Sequence, residues 1–188
     1  MKLLLTAFAL LASVPLYAQL HFNFTNRQHV VIIPFEQSED GHVFFKGRVN
    51  DSGDLDFLLD PGTRASGIVV DPMVAKATNF PQTDSVILTL KTLRIVHQRV
   101  TWTPLKEVEL KDHHSVNGVM GYEFLRSFVV RIDPHHKWLI LTDPAYFQGS
   151  TLKGKLSLGD TPPDLTQYIK QGKTVTLNYP KQYMVISE

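Results

Sequence analysis

The chain contains no cysteine. That absence excludes disulfides, thiolate metal sites and a cysteine nucleophile together. It also lacks an excess of charge of one sign: 19 Lys and Arg stand against 18 Asp and Glu, a formal net charge of +1. Such a balance gives no electrostatic reason to expect nucleic acid or an anionic membrane as partner. Beyond the N-terminus no apolar run approaches the roughly 20 residues of a membrane-spanning helix. There is no glycine-rich phosphate loop ending in Lys-Ser/Thr. There is no Gly-x-Ser-x-Gly elbow either, since Gly118-Val119-Met120-Gly121 has no nucleophile at its centre.

What is present is a chain of 188 residues, 43% apolar and 20% charged. That is enough for one compact domain of ordinary size plus an extension, or for two very small domains. Residues 1–18 read as a secretory signal peptide: Lys2 is the positive end, Leu3 to Leu16 is the apolar core, and Leu16-Tyr17-Ala18 precedes a cut at Gln19. The expected mature protein is exported, periplasmic or extracellular, without a membrane anchor. With no cysteine at the cut, a lipoprotein anchor is unavailable.

From His29 the pattern is that of many short strands. Val30 to Phe35 is a β-branched run. Val43, Phe45 and Val49 share one face and alternate with Phe44, Lys46, Arg48 and Asn50, and Asn50-Asp51-Ser52-Gly53-Asp54 is a strong turn. The strand Leu55 to Leu59 then forms a hairpin with the preceding one. Ser66 to Val70 is a further strand, and Asp71-Pro72 caps a short helix over Met73 to Ala77. Strands follow at Val86 to Leu90, Leu93 to Val96 and Arg99 to Thr103, with a weaker one at Val108 to Leu110. Phe128 to Ile132 and Trp138 to Leu141 form the last clear hairpin, around Asp133-Pro134-His135-His136. This is a mostly antiparallel β domain.

Two stretches carry chemistry. In Leu55-Asp56-Phe57-Leu58-Leu59-Asp60-Pro61-Gly62-Thr63 an apolar strand delivers a carboxylate to a tightly fixed loop, with the Gly62 N–H free to face it. The plainer reading is a strand ending in a surface turn. In Val116-Asn117-Gly118-Val119-Met120-Gly121-Tyr122-Glu123-Phe124-Leu125 two glycines bracket an apolar pair ahead of a short helical turn.

Together, Phe57-Leu58-Leu59-Asp60-Pro61-Gly62-Thr63 and Gly118 to Leu125 resemble the retropepsin-like aspartic protease domain, in the form found in exported bacterial aspartyl protease family proteins. The resemblance covers about Val30 to Leu141. It implies a closed antiparallel β-barrel of the retropepsin-like acid protease type with one or two short helices, occupying residues 19–143. It implies that Asp60 is the catalytic aspartate of a hydrolase, and that Gly62, Thr63, Gly118 and Gly121 support the active-site loop. A flap, where the family has one, falls between the motifs, near Lys91. The implied activity is aspartic-type endopeptidase cleavage of a peptide or protein substrate. That chemistry asks for two carboxylates sharing a proton, and this chain has one motif. A working dyad therefore needs Asp60 from each of two chains, a homodimer.

Position 61 departs from the family's Thr or Ser, whose hydroxyl and N–H bind across to the opposite loop. Pro61 has neither. The alternative is a catalytically inactive peptide-binding or structural module that keeps the fold. Asp133 lacks a following glycine and reads as a solvated turn residue. His113-His114 and His135-His136 are adjacent pairs at surface turns that form no compact ligand set. No cofactor or metal ion is expected. Residues 144–188 read as an extension with a helical turn at Leu165 to Lys170 and two strands, Thr174 to Leu177 and Tyr183 to Ile186, which covers a sheet edge, begins a second lobe or contributes to dimerisation.

Overall fold

A computed structural model describes residues 21–105, 115–147, 156–157, 165–181 and 183–187. The expected signal peptide and the expected strand at Val108 to Leu110 lie outside these described residues. In chain order the described elements are β1 (His21–Phe24), β2 (Val30–Gln37), β3 (Val43–Val49), β4 (Leu55–Leu59), β5 (Ile68–Val70), α1 (Pro72–Thr78), β6 (Ser85–Leu90) and β7 (Leu93–Trp102). They continue with β8 (Gly118–Met120), α2 (Tyr122–Leu125), β9 (Val129–Asp133), β10 (Trp138–Thr142), β11 (Leu156–Ser157), α3 (Thr166–Lys170), β12 (Thr174–Asn178) and β13 (Tyr183–Ser187).

Six strands close into a barrel. β3 pairs with β4 on one side and β6 on the other, β6 with β7, β7 with β5, β5 with β8, and β8 returns to β4. The expected hairpins of β3 with β4 and of β9 with β10 are both present. Two pairings in the ring, β4 with β8 and β5 with β7, are parallel. These join segments far apart in sequence, so no local hairpin signal announces them. The two expected strands at Leu93 to Val96 and Arg99 to Thr103 are one strand, β7. Its irregularity sits at His97, with φ 57°, where the partner register shifts between Val86 and Leu88.

The barrel continues into a second, wholly antiparallel sheet through β2. Its C-terminal half pairs with β3 and its N-terminal half with β10, after which β9, β12, β13 and β11 follow in order. The C-terminal segment therefore covers the open edge of β9 with β12. Alternation along β2, β6 and β7 sends Val31, Ile33, Leu88, Leu90, Leu93 and Ile95 inward, all buried. Leu165, Ile169, Val175, Leu177 and Tyr179 belong to the same core as Phe57, Phe124 and Phe128. At about 1.5–3 kcal/mol for each fully buried large apolar side chain, the C-terminal segment is part of the packing that holds the barrel.

Asp133 differs from the expectation of a solvated turn residue: it is 5% exposed. Its Oδ1 accepts the His136 N–H at 3.1 Å, its Oδ2 lies 3.0 Å from His136 Nδ1, and Arg131 Nη2 is 3.7 Å away. The carboxylate closes the turn between β9 and β10. Burial alone would raise its pKa, but the hydrogen bonds and charge of His136, with Arg131, outweigh it, and the net shift is downward. A depressed carboxylate stabilises the fold above the ordinary aspartate pKa of about 3.9, and the contribution disappears as pH falls through the lowered folded-state value. Asp133→Asn should therefore cost about 1–3 kcal/mol near neutrality. Urea denaturation at a series of pH values should show this gap to wild type at full size above about pH 5 and closing toward pH 2.

Candidate active site

β4 is flanked on both sides, by β3 antiparallel and β8 parallel. This explains why Phe57-Leu58-Leu59 is a continuous apolar run. Phe57 and Leu59 face the barrel interior. Leu58 lies on the outside, in a buried row with Phe44, Val119 and Val69 across four neighbouring strands. With both faces packed, the strand end is fixed, and Asp60 follows it directly.

The loop is closed by its own hydrogen bonds. Asp60 Oδ1 accepts the Gly62 N–H at 2.8 Å, and Oδ2 accepts the Thr63 hydroxyl at 2.6 Å. The Asp60 N–H donates to the Met120 carbonyl at 3.1 Å, the Thr63 N–H to the Asp60 carbonyl at 3.1 Å, and the Tyr122 N–H to the Thr63 carbonyl at 2.9 Å. The two motifs, some sixty residues apart in sequence, thus meet. Gly118 opens β8 opposite Phe57, and Gly121 lies against Thr63, so that a Cβ there would collide with the Thr63 carbonyl. All five residues singled out from the sequence, Asp60, Gly62, Thr63, Gly118 and Gly121, belong to one constellation.

Each carboxylate oxygen has one donor and a second lone pair to spare. Asp60 borders a cleft of about 480 Å3 whose wall includes His42, Val43, Leu59, Pro61, Leu165 and Ile169. Asp60 is the one carboxylate in that lining among the described residues. Alone it suits proton abstraction from a water; protonating a leaving group or carbonyl needs a second acid. No group of three or more His, Asp or Glu placed to hold a metal ion occurs among the described residues.

Sequence reasoning did not find the far wall of this cleft. Ile169 comes from α3 and Leu165 from its N-cap position; the helix sits beside the turn between β2 and β3, with the Gln37 amide donating to the Ile169 carbonyl at 3.2 Å. Pro61 is buried. On the other flank the Arg64 guanidinium lies 4.6 Å over the Tyr122 ring, which meets Tyr179 edge to face at 5.4 Å. Burial pushes the Tyr179 hydroxyl well above the ordinary tyrosine value; Tyr122 adds to the rise and Arg64 opposes it. Nothing local marks Leu165, Ile169 and Tyr179, since each is an ordinary apolar or aromatic side chain until the C-terminal segment folds back. The hairpin of β6 and β7 around Lys91, the rough flap candidate, lines no part of the cleft among the described residues.

Gly121→Ala should force its methyl group into the Thr63 carbonyl and destabilise the protein by about 1–3 kcal/mol. Gly53→Ala, with nothing within 4 Å of the added carbon, should stay within about 0.5 kcal/mol of wild type. Urea midpoints at unchanged m-value measure both.

In comparisons with known proteins, no family model and no curated protein matches this chain. Among solved structures it is similar to a retropepsin-like aspartic protease from Rickettsia conorii, at 18% identity and a TM-score of 0.36, over 65% of this chain and 92% of that one. At that score the likeness carries no argument about activity, and the functional reading rests on the geometry around Asp60.

Proposed function

We propose that this protein is an exported aspartic-type endopeptidase, acting on extended peptide segments through two Asp60 carboxylates contributed by two copies of the chain. The observation that carries the reading is the loop itself. One carboxylate, at the end of a strand packed on both faces, is gripped by Gly62 N–H and Thr63 Oγ1 and opens on a cleft. A carboxylate held this firmly meets the positional demand of catalysis. In the reaction, one Asp60 takes a proton from water as it adds to the scissile carbonyl, and the other, protonated, donates to the carbonyl oxygen. Collapse of the resulting diol breaks the C–N bond as the amine takes up a proton. An extended substrate would be held by main-chain hydrogen bonds. The alternative, a peptide-binding module without turnover, draws on Pro61, which supplies neither hydroxyl nor N–H to an opposing loop.

The test is cleavage of an unfolded protein substrate from mildly acidic to neutral pH, with oligomeric state recorded in the same samples. Wild-type dimer should turn over, and Asp60→Asn should lose activity by about three orders of magnitude or more. Equal turnover by the two proteins would sink the assignment. Pro61→Thr should raise kcat/KM on the order of tenfold by restoring a hydroxyl and an N–H at the loop. A folded wild-type dimer without turnover, unrescued by Pro61→Thr, would leave the binding module.

A further inference from the structure

We infer that α3 is a self-docked cap on the Asp60 loop: it occupies, within one chain, the surface a second copy must reach to bring its own Asp60 alongside. This rests on the shared-dyad reading above and adds to it a means of regulation.

Two carboxylates that share a proton lie about 3 Å apart. A second Asp60 loop must therefore come up against the first. The cleft that Asp60, Pro61 and Gly62 border has Leu165, Thr166 and Ile169 as its further lining. Its volume, about 480 Å3, is that of a small-ligand pocket, far short of a loop with the strands that carry it. Entry of a second copy from this side requires α3 to leave. Pro61 fits the capped arrangement. Buried and without an N–H, it makes an apolar surface that suits Leu165 and Ile169 and offers nothing to a hydrogen-bonding loop.

α3 is also built to lift without unfolding the rest. It has five residues, and its N-cap residue, Leu165, has no side chain able to cap it, so a helix this short depends on docking for its stability. Its ties to the β2–β3 turn are specific: the Gln37 amide holds the Ile169 carbonyl, and Gly41, at φ +92°, lies so close that a Cβ there would stand 2.5 Å from the Thr166 carbonyl oxygen. β12 is anchored separately by its ladder to β9, and Tyr179 by its contact with Tyr122. These anchors stay in place when α3 opens, at the cost of exposing Leu165 and Ile169 of the shared core. Because the cap is tethered, it competes with a second copy at an effective concentration in the millimolar range. At lower protein concentrations the single chain stays capped and silent.

The experiment uses the full chain and two glycine-to-alanine variants. Gly41→Ala wedges a methyl group between the β2–β3 turn and α3. Gly53→Ala, in the turn between β3 and β4 with nothing within 4 Å of the added carbon, is the control. Sedimentation velocity and peptide turnover are measured for each, and for Gly41→Ala combined with Asp60→Asn. The expected result is a dimer dissociation constant at least tenfold lower for Gly41→Ala, turnover rising with it, and Gly53→Ala resembling wild type. Gly41→Ala folded but unchanged in both readouts overturns the proposal, as does a wild-type protein already dimeric at micromolar concentration. Should Gly41→Ala fail to fold, Gln37→Ala, which deletes the bond to Ile169 without a clash, must shift dimerisation in the same direction, and no shift overturns the cap. A gain in dimer with no Asp60-dependent turnover supports the cap while removing the peptidase reading.

Discussion

The insertion of β8 between β4 and β5 is the constraint on which the rest depends. β8 runs parallel to β4 and antiparallel to β5, and it closes the barrel by joining strands that local hairpins leave apart. The same insertion brings the Met120 carbonyl to the Asp60 N–H and sets Gly121 and Tyr122 against Thr63. Barrel closure and loop geometry are therefore one event: weakening the β4–β8 pairing would loosen the carboxylate as well as the fold.

The second determinant is the return of the C-terminal segment. β12 satisfies the backbone groups of β9 that would otherwise form an exposed edge. Leu165, Ile169, Val175, Leu177 and Tyr179 add to a single core. This segment also borders the Asp60 loop, with α3 across the cleft on one side and Tyr179, edge to face with Tyr122, on the other. An element that completes the core thus also decides what reaches the carboxylate.

Pro61 has a different meaning in this setting than in the sequence alone. In isolation it is a lost hydroxyl and a lost donor. In the structure it is a buried apolar residue on the cleft wall that it shares with Leu165 and Ile169, and the loop keeps its shape without position 61 because the grip on Asp60 comes from Gly62 and Thr63.

Much of this was legible in the chain itself. Alternating burial writes strands such as β2 and β7 directly into the order of residues, because side chains on a pleated strand alternate faces. Phe57-Leu58-Leu59 running into Asp60-Pro61-Gly62-Thr63 marked the loop, and Asp71-Pro72 marked α1, whose Asp71 accepts the Met73 N–H as a cap should. These are local signals, set by steric and hydrogen-bonding preferences within a few residues. The two parallel pairings, the burial of Asp133 beneath His136 and the docking of α3 beside Pro61 had no such signal, because each is a contact between surfaces that exist only once distant segments have packed. The amino-acid sequence by itself determined most of the strands, the loop and the single carboxylate. Tertiary structure decided what that carboxylate faces, since the cleft wall is supplied by residues about a hundred positions further along the chain, brought there by burial of apolar surface and by the ladder between β9 and β12.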